Sequence, residues 1–250
     1  MKAILFVLLV TFYVPVAFAQ DSVKVGSRMN TIKLDLTHSL LYRNAYNLSW
    51  ERIMKPNQTL GITVGRQEFP QILNLGENIK GERSDNSGGY KVGAEYRFYL
   101  KKENKFAAPR GVYIGPYFSV LGFNTARDIT YTGGETPQEA RYNARFNLFS
   151  LGGQLGYQFV FNDRWTLDLV VVGPSLTRYD ARMRLEGDFE FDPDDVQNEI
   201  LDALIDKFPG LDDLLEDKEL DSSGKVDVVG IGYRYQFLIG YRFGKKFKKN

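Results

Sequence analysis

The sequence predicts an all-β chain folded as an eight-stranded antiparallel up-and-down transmembrane β-barrel, with a short helical insertion in its last extracellular loop. Three observations carry this expectation. In residues 225–243, Val229, Ile231, Tyr233, Tyr235, Phe237, Ile239, Tyr241 and Phe243 alternate with Gly230, Gly232, Arg234, Gln236, Leu238, Gly240 and Arg242. A strand turns successive side chains to opposite faces, so this strand has one greasy face and one polar, glycine-rich face. Its length exceeds the roughly 9–11 residues that a tilted strand needs to cross a bilayer. The same alternation recurs in seven earlier stretches, described below. Finally, the connections sort by length: short or moderate after strands two, four and six, long after three, five and seven, with only the first connection on the long side short. Outer-membrane barrels show this sorting, with short periplasmic turns and longer outside loops.

Residues 1–19 read as a cleaved secretory signal, with Lys2 as its charged end, an apolar stretch over 4–16 and Ala17-Phe18-Ala19 before the cut. The mature chain, 20–250, fits one all-β domain. No other segment has the long apolar run of a transmembrane helix. The chain has no cysteine, which excludes lipoprotein attachment and disulfide scaffolding. A mean hydropathy of −0.31 is compatible with a barrel, because lumen and loops dilute the lipid face. The 15 Tyr and 18 Phe suit aromatic girdles, and a net charge of +1 argues against a nucleic-acid partner.

Strand one, 31–40, sets Ile32, Leu34, Leu36, His38 and Leu40 against Lys33, Asp35 and Thr37. A tight turn near Arg43-Asn44 leads to strand two, with Tyr46, Leu48 and Trp50 opposite Asn47, Ser49 and Glu51. Lys55-Pro56-Asn57-Gln58 is a turn by composition. Strand three, 59–69, sets Leu60, Ile62 and Val64 against Gly61, Thr63 and Gly65, and a polar loop over 70–89 follows. Strand four opposes Tyr90, Val92, Ala94, Tyr96, Phe98 and Leu100 to Lys91, Gly93, Glu95, Arg97 and Tyr99. A lysine-rich connection, 101–110, precedes strand five, 111–123, with Val112, Ile114, Phe118 and Val120 outward. A second polar segment, 124–145, leads to strand six, where Phe149, Leu151, Leu155, Tyr157, Phe159 and Phe161 alternate with Gly152, Gln154, Gly156 and Gln158. After the turn Asn162-Asp163-Arg164, strand seven begins at Trp165, with Leu167, Leu169 and Val171 outward and Thr166 and Asp168 inward. Pro116 and Pro174 fall inside strands five and seven, where a missing N–H predicts bulges or bends.

The inward face carries Lys33, Lys91, Arg97, Arg234 and Arg242 with Asp35, Glu51, Glu95 and Asp168. The interior of an eight-stranded barrel is just wide enough for side chains to fill, and an unpaired ion there costs several kcal/mol. Near-balance of charge therefore predicts a salt-bridge network that plugs the lumen. A selective pore would carry an excess of one sign. On the other face, Tyr46, Trp50, Tyr90, Phe98, Phe161, Trp165, Tyr241 and Phe243 are the candidate girdle.

The last outside loop, about 180–224, is acidic: 186–221 holds 15 Asp or Glu and only Lys207 and Lys218 as bases. Asp192 as cap, Pro193 at the first helical position and Val196, Ile200, Leu204 and Phe208 at a spacing of four predict a helix that ends at Pro209-Gly210. A solvated loop packed over the mouth, a docking surface for an extracellular partner and a divalent-cation site are all open readings. For the last, Asp217 to Gly224 lacks the ligand spacing of a calcium loop. The basic tail 244–250 is placed in the periplasm. Chemistry-bearing motifs are scarce. There is no cysteine or multi-histidine metal cluster, no phosphate-cradling glycine loop and no nucleophile elbow, so no catalytic residue, metal or cofactor is expected. The single histidine, His38, is expected on the lipid side with Ser39 pointing the other way.

The stretches Asn30-Thr-Ile-Lys-Leu-Asp-Leu36, Pro109-Arg-Gly-Val-Tyr-Ile-Gly-Pro-Tyr117, Leu151-Gly-Gly-Gln-Leu-Gly-Tyr-Gln-Phe159 and Leu169-Val-Val-Val-Gly-Pro-Ser175 give the chain a resemblance to an uncharacterised family of exported barrels of Gram-negative bacteria, a domain of unknown function. In architecture it resembles small outer-membrane barrels of the OmpA and OmpX type. The resemblance implies an outer-membrane location, with lipid and lipopolysaccharide as surroundings. It also implies recognition by the barrel-assembly machinery, for which Phe243 resembles the terminal aromatic signal, although seven residues follow it. The function expected is non-enzymatic, structural or surface-recognition. Two alternatives stay open: a lipid-modifying acyltransferase or deacylase using His38, and a soluble exported barrel that binds an apolar ligand.

Overall fold

The computed structural model describes residues 28–41, 43–68, 79–81, 86–132, 137–186 and 225–246. The signal segment, the predicted helix of the acidic loop and tail residues 247–250 lie outside them. The elements are β1 (Arg28–Asp35), α1 (Leu36–Leu41), β2 (Arg43–Lys55), β3 (Gln58–Glu68), β4 (Ile79–Gly81), β5 (Asn86–Tyr99), β6 (Gly111–Tyr131), β7 (Gln138–Phe161), β8 (Trp165–Glu186) and β9 (Lys225–Lys246). Eight of these strands pair antiparallel in the order β1-β2-β3-β5-β6-β7-β8-β9, and β9 returns to β1, so the sheet closes as a ring. The three-residue β4 pairs only with the far end of β6.

One row of directly paired residues runs round the whole ring: Ile32, Trp50, Ile62, Ala94, Phe118, Leu151, Leu176 and Ile231. All eight are apolar and lie on the outer side. The neighbouring inward row is Lys33, Ser49, Thr63, Gly93, Ser119, Ser150, Thr177 and Gly230. It is polar or glycine throughout. The outer row ends on β9 at Ile231, whereas Ile32 itself faces Tyr241, ten residues further on. That offset requires the strands to tilt against the ring axis.

Both described ends of the chain, the Pro56-Asn57 turn, the 100–110 connection and the turn at 162–164 lie at one end of the ring. At the other end, β6 to β9 run on past their shorter neighbours as a protruding sheet. There the pattern inverts. In the lower wall apolar residues face out, as with Tyr233 at 64% exposure, and polar ones face in. In the upper wall Phe123, Ile129, Ala140, Tyr142, Ala144 and Val228 are buried on the inner face. Asn124, Asp128, Arg141, Arg145, Arg178, Arg182, Arg184 and Asp227 are exposed on the outer face.

Several expectations need correction. Strand one stops at Asp35, and Leu36 to Leu41 form α1 instead of continuing the alternation. The Ser39 hydroxyl donates to the carbonyls of Asp35 and Ala45, and the Phe237 amide donates to Thr37 Oγ1, so local hydroxyls fix the turn. Arg43 and Asn44 therefore begin β2 and are not the turn, although Asn44 keeps a positive φ of 46°. The polar stretch 124–145 is mostly strand, and only 132–137 separate β6 from β7. Likewise 180–186 belong to β8, and 70–89 include β4 and the start of β5. The long-side sorting of connections thus fails after strand five, where the extra length is strand. A bulge does form near Pro174: β8 carries one extra residue, so Val171 and Val172 both point outward. Pro116 produces none. Its pairing with β7 is continuous, and its pairing with β5 lapses between Glu95↔Tyr117 and Phe98↔Ile114 without changing register.

At that lapse the backbones approach closely. A Cβ on Gly115 would lie 1.8 Å from the Tyr96 carbonyl oxygen. Gly115→Ala should therefore lower the urea unfolding midpoint of the purified protein by about 1–3 kcal/mol in stability, and an unchanged midpoint would show that the β5–β6 wall yields there.

Candidate functional site

The interior is a set of charged side chains projected from five of the ring strands. Lys33 and Asp35 come from β1, Glu51 from β2, Lys91, Glu95 and Arg97 from β5, Asp168 from β8, and Arg234 and Arg242 from β9. All nine face inward, eight of them buried and Arg234 nearly so. None of these nine comes from β3, β6 or β7, which make room or bridge, although β6 buries Arg127 further up its inner face. A Cβ on Gly61 would lie 2.8 Å from Glu95 Cγ, and one on Gly156 would strike the Tyr113 hydroxyl.

Asp168, at 0% exposure, is the hub of the lowest tier. Its Oδ2 accepts Lys33 Nζ at 2.6 Å and Arg97 Nη1 at 2.7 Å, and its Oδ1 accepts the Tyr113 hydroxyl at 2.7 Å. Glu51 takes Lys33 at 2.8 Å and the Thr59 hydroxyl at 2.7 Å. Gln158 lies between them, donating to Glu51 and accepting from Lys33 and Arg97. The Arg97 guanidinium also stacks on the Tyr113 ring, 4.2 Å from its centroid. Above this tier, Glu95 receives Arg97 on one oxygen and Arg234 and Gln154 on the other. Arg234 donates to Gln154 Oε1 at 2.8 Å and stacks on Tyr117.

The top tier differs most from expectation. Because α1 bends back over the ring, His38 lies above the interior and not on the lipid side. Its Nδ1 meets Asp35 Oδ2 at 2.7 Å, which places the proton on Nδ1, and its Nε2 lies 2.9 Å from Lys91 Nζ and so accepts from the ammonium. Asp35 Oδ2 also takes Gln236 Nε2 at 2.6 Å and Lys91 at 3.4 Å. Burial holds the His38 pKa below its ordinary value, against the pull of the neighbouring Asp35 carboxylate. The Ser39 hydroxyl is engaged with backbone carbonyls.

Sequence reasoning counted five cations against four anions. The structure supplies the fifth anion: Asp163, in the β7–β8 turn, accepts Arg242 Nη1 at 2.8 Å, while Arg242 Nη2 donates to the Arg28 carbonyl. Asp163 is a turn residue and lies outside the period-two pattern that marks the inward strand positions. Its signal was an acidic turn residue with a positive φ of 54° at the end where Arg242 emerges. The bridging amides Gln158, Gln154 and Gln236 were legible as inward polar residues but not as bridges. On the outer side, Phe98, Phe161, Trp165, Tyr241 and Phe243 gather near the end with the short turns. Trp165 meets Tyr241 edge-on with centroids 5.3 Å apart. Tyr46 and Tyr90 flank Arg66 in one row near the opposite end, and Trp50 sits midway, paired with Ile32 and Ile62.

Fold and site together define a class: a closed ring of eight antiparallel strands with an apolar exterior and an ion-paired interior. The chain belongs to the family described as protein of unknown function DUF3575, which matches residues 6–184. No curated protein matches the chain.

Removing one partner of the lowest tier leaves buried charges uncompensated. Asp168→Ala should cost about 3–5 kcal/mol in urea unfolding, whereas Arg242→Met, whose partner Asp163 is part-exposed, should cost visibly less. Equal losses would mean that the interior is wetter than its geometry indicates. The His38 pKa is lower in the folded state, so the unfolded state binds more protons, and the stability of the neutral pairing is lost as pH falls below about 6.5. Hydrogen exchange over 36–41 should quicken on acidification through that value, and His38→Gln should abolish the change.

Proposed function

We propose that the chain is a non-enzymatic outer-membrane β-barrel of structural or surface-recognition type, with a lumen plugged by its own ion pairs. The observation that carries this reading is the apolar row running unbroken round the outside of the ring, backed by an inward row that is polar or glycine at every position. In water such an exterior would be an aggregation surface. In hydrocarbon it is the expected face of a spanning strand, and ring closure leaves no backbone edge exposed at that level. The inversion of the upper wall supports the same reading. Its outer face turns charged and its inner face gains Phe123, Ile129, Ala140, Tyr142 and Ala144, beside the buried Thr125 and Arg127, where a membrane would give way to water. Both ends of the described chain lie at the short-turn end, as periplasmic termini would.

The plug reading rests on charge balance and on interlocked guanidinium, ammonium and amide groups that fill the bore. The alternative of a soluble barrel lined with aromatics loses its premise, because Tyr233, Tyr235, Phe237 and Ile239 are outside and Arg234 and Gln236 are turned inward. The histidine enzyme reading is weakened, since both His38 nitrogens have partners and the Ser39 hydroxyl is directed at carbonyl oxygens.

Detergent fractionation followed by protease shaving of intact Gram-negative cells tests this proposal. The protein is expected in the outer-membrane fraction, cut within 187–224 from outside, and silent in planar bilayer conductance. A mature chain that stays soluble without detergent would overturn the membrane reading. A steady open conductance would overturn the plug.

A further inference from the structure

Two rows above the apolar belt, beyond a row of Asn147, Asp180 and Asp227 on the outer face of β7, β8 and β9, Arg145, Arg182 and Lys225 stand in one row, each directly opposite the next. Like charges placed directly cross-strand are unfavourable unless an anion lies between them. Arg184 stands in the next row up, paired with Asn143, and Arg178 two rows below, between Phe149 and Val229. The carboxylates on this face are Asp180, 3.8 Å from Arg182, and Asp227, which holds Arg178 at 2.6 Å and lies 3.9 Å from Lys225. Asn124 accepts Arg145 Nε at 3.1 Å. Among the described residues, five cations thus face two carboxylates over this stretch, and a further row, Asp128, Arg141 and Glu186, closes the patch above.

We infer that this collar binds the phosphate groups of an anionic lipid headgroup in the outer leaflet. The inference rests on the membrane reading above and adds to it a ligand class and a location. Its direction is what selects a lipid. The row faces sideways, on the same wall as Phe149, Leu176 and Val229, which are exposed two and three rows below it. Successive rows on one face are about 7 Å apart. Arg178 stands in the row of Phe149 and Val229 and the Arg182 row about 14 Å above it, so a lipid whose chains lie against that belt carries its phosphates into the span between them. Arginine suits the role, because its planar fork pairs with phosphate oxygens in a bidentate manner.

The test places the full chain in phosphatidylcholine nanodiscs doped with phosphorylated lipid A, and the lipid retained after mild detergent extraction is read by mass spectrometry. Insertion is checked first by co-elution with the nanodisc. Failure to insert would sink the membrane reading and this inference with it, whereas insertion without retained lipid A would sink the inference alone. The wild type should retain phosphorylated lipid A over phosphatidylcholine and over dephosphorylated lipid A. R145Q/R182Q/K225Q should retain at least about tenfold less. Arg182→Gln alone, at the centre of the row, should retain severalfold less and serves if the triple variant does not fold. K101Q/K102Q/K105Q, which removes as many charges from the opposite rim, should retain as much as wild type. Undiminished retention by the collar variants, an equal loss in the opposite-rim variant, equal retention of the dephosphorylated lipid, or complete displacement by inorganic phosphate would each overturn the assignment.

Discussion

Asp168 holds cations from two strands that are not its neighbours. β8 is hydrogen-bonded only to β7 and β9, yet through this one carboxylate it grips Lys33 on β1 and Arg97 on β5. Backbone ladders join adjacent strands and leave the bore free to be wide or narrow. Ion pairs across the bore fix its width. Such pairs tolerate burial only if every charge finds a partner, and the nine lumen charges meet that condition down to Arg242, whose counter-ion comes from a turn. The glycines of β3 and β7, the inward tyrosines of β6 and the bridging glutamines follow from the same requirement, because long charged side chains must reach one another without voids or clashes.

A second constraint acts from outside. A period-two strand keeps its parity, but what each face touches changes with height. The lower wall has apolar residues out and ions in, and the upper wall has ions out and mostly apolar residues in, with Arg127 and Thr125 the buried polar exceptions on β6. The change falls around one directly paired row of β6, β7, β8 and β9: Leu121, Leu148, Tyr179 and Val228.

That inversion also explains what the sequence revealed and what it hid. The lower wall was legible residue by residue, because apolar side chains recur on one parity from Ile32 to Phe243. Residues 124–145 looked like loop because their apolar side chains, Ile129, Ala140, Tyr142 and Ala144, sit on the opposite parity and are diluted by arginine and asparagine. Leu36, His38 and Leu40 misled in the other direction. Leu-Thr-His-Ser-Leu-Leu fits either an alternating strand or one turn of helix, and periodicity over so short a stretch cannot choose between them. The choice is made by Ser39 donating to the nearby Asp35 and Ala45 carbonyls and by Thr37 accepting the Phe237 amide, a partner that no local pattern encodes. The consequence was large for the site, since it moved His38 from the outer surface to the top of the charged interior.

Ring closure depends on the shortest ring strand. β1 offers only Arg28 to Asp35 to the seam with β9, and that seam is fastened at both extremities: below by Arg242 reaching the Arg28 carbonyl, above by the Phe237 amide reaching Thr37. A seam held only along its middle could peel from either tip, one bond at a time. Clasped at each tip, it must give way along its whole length together. The briefest stretch of wall thus yields at a threshold instead of unravelling by degrees.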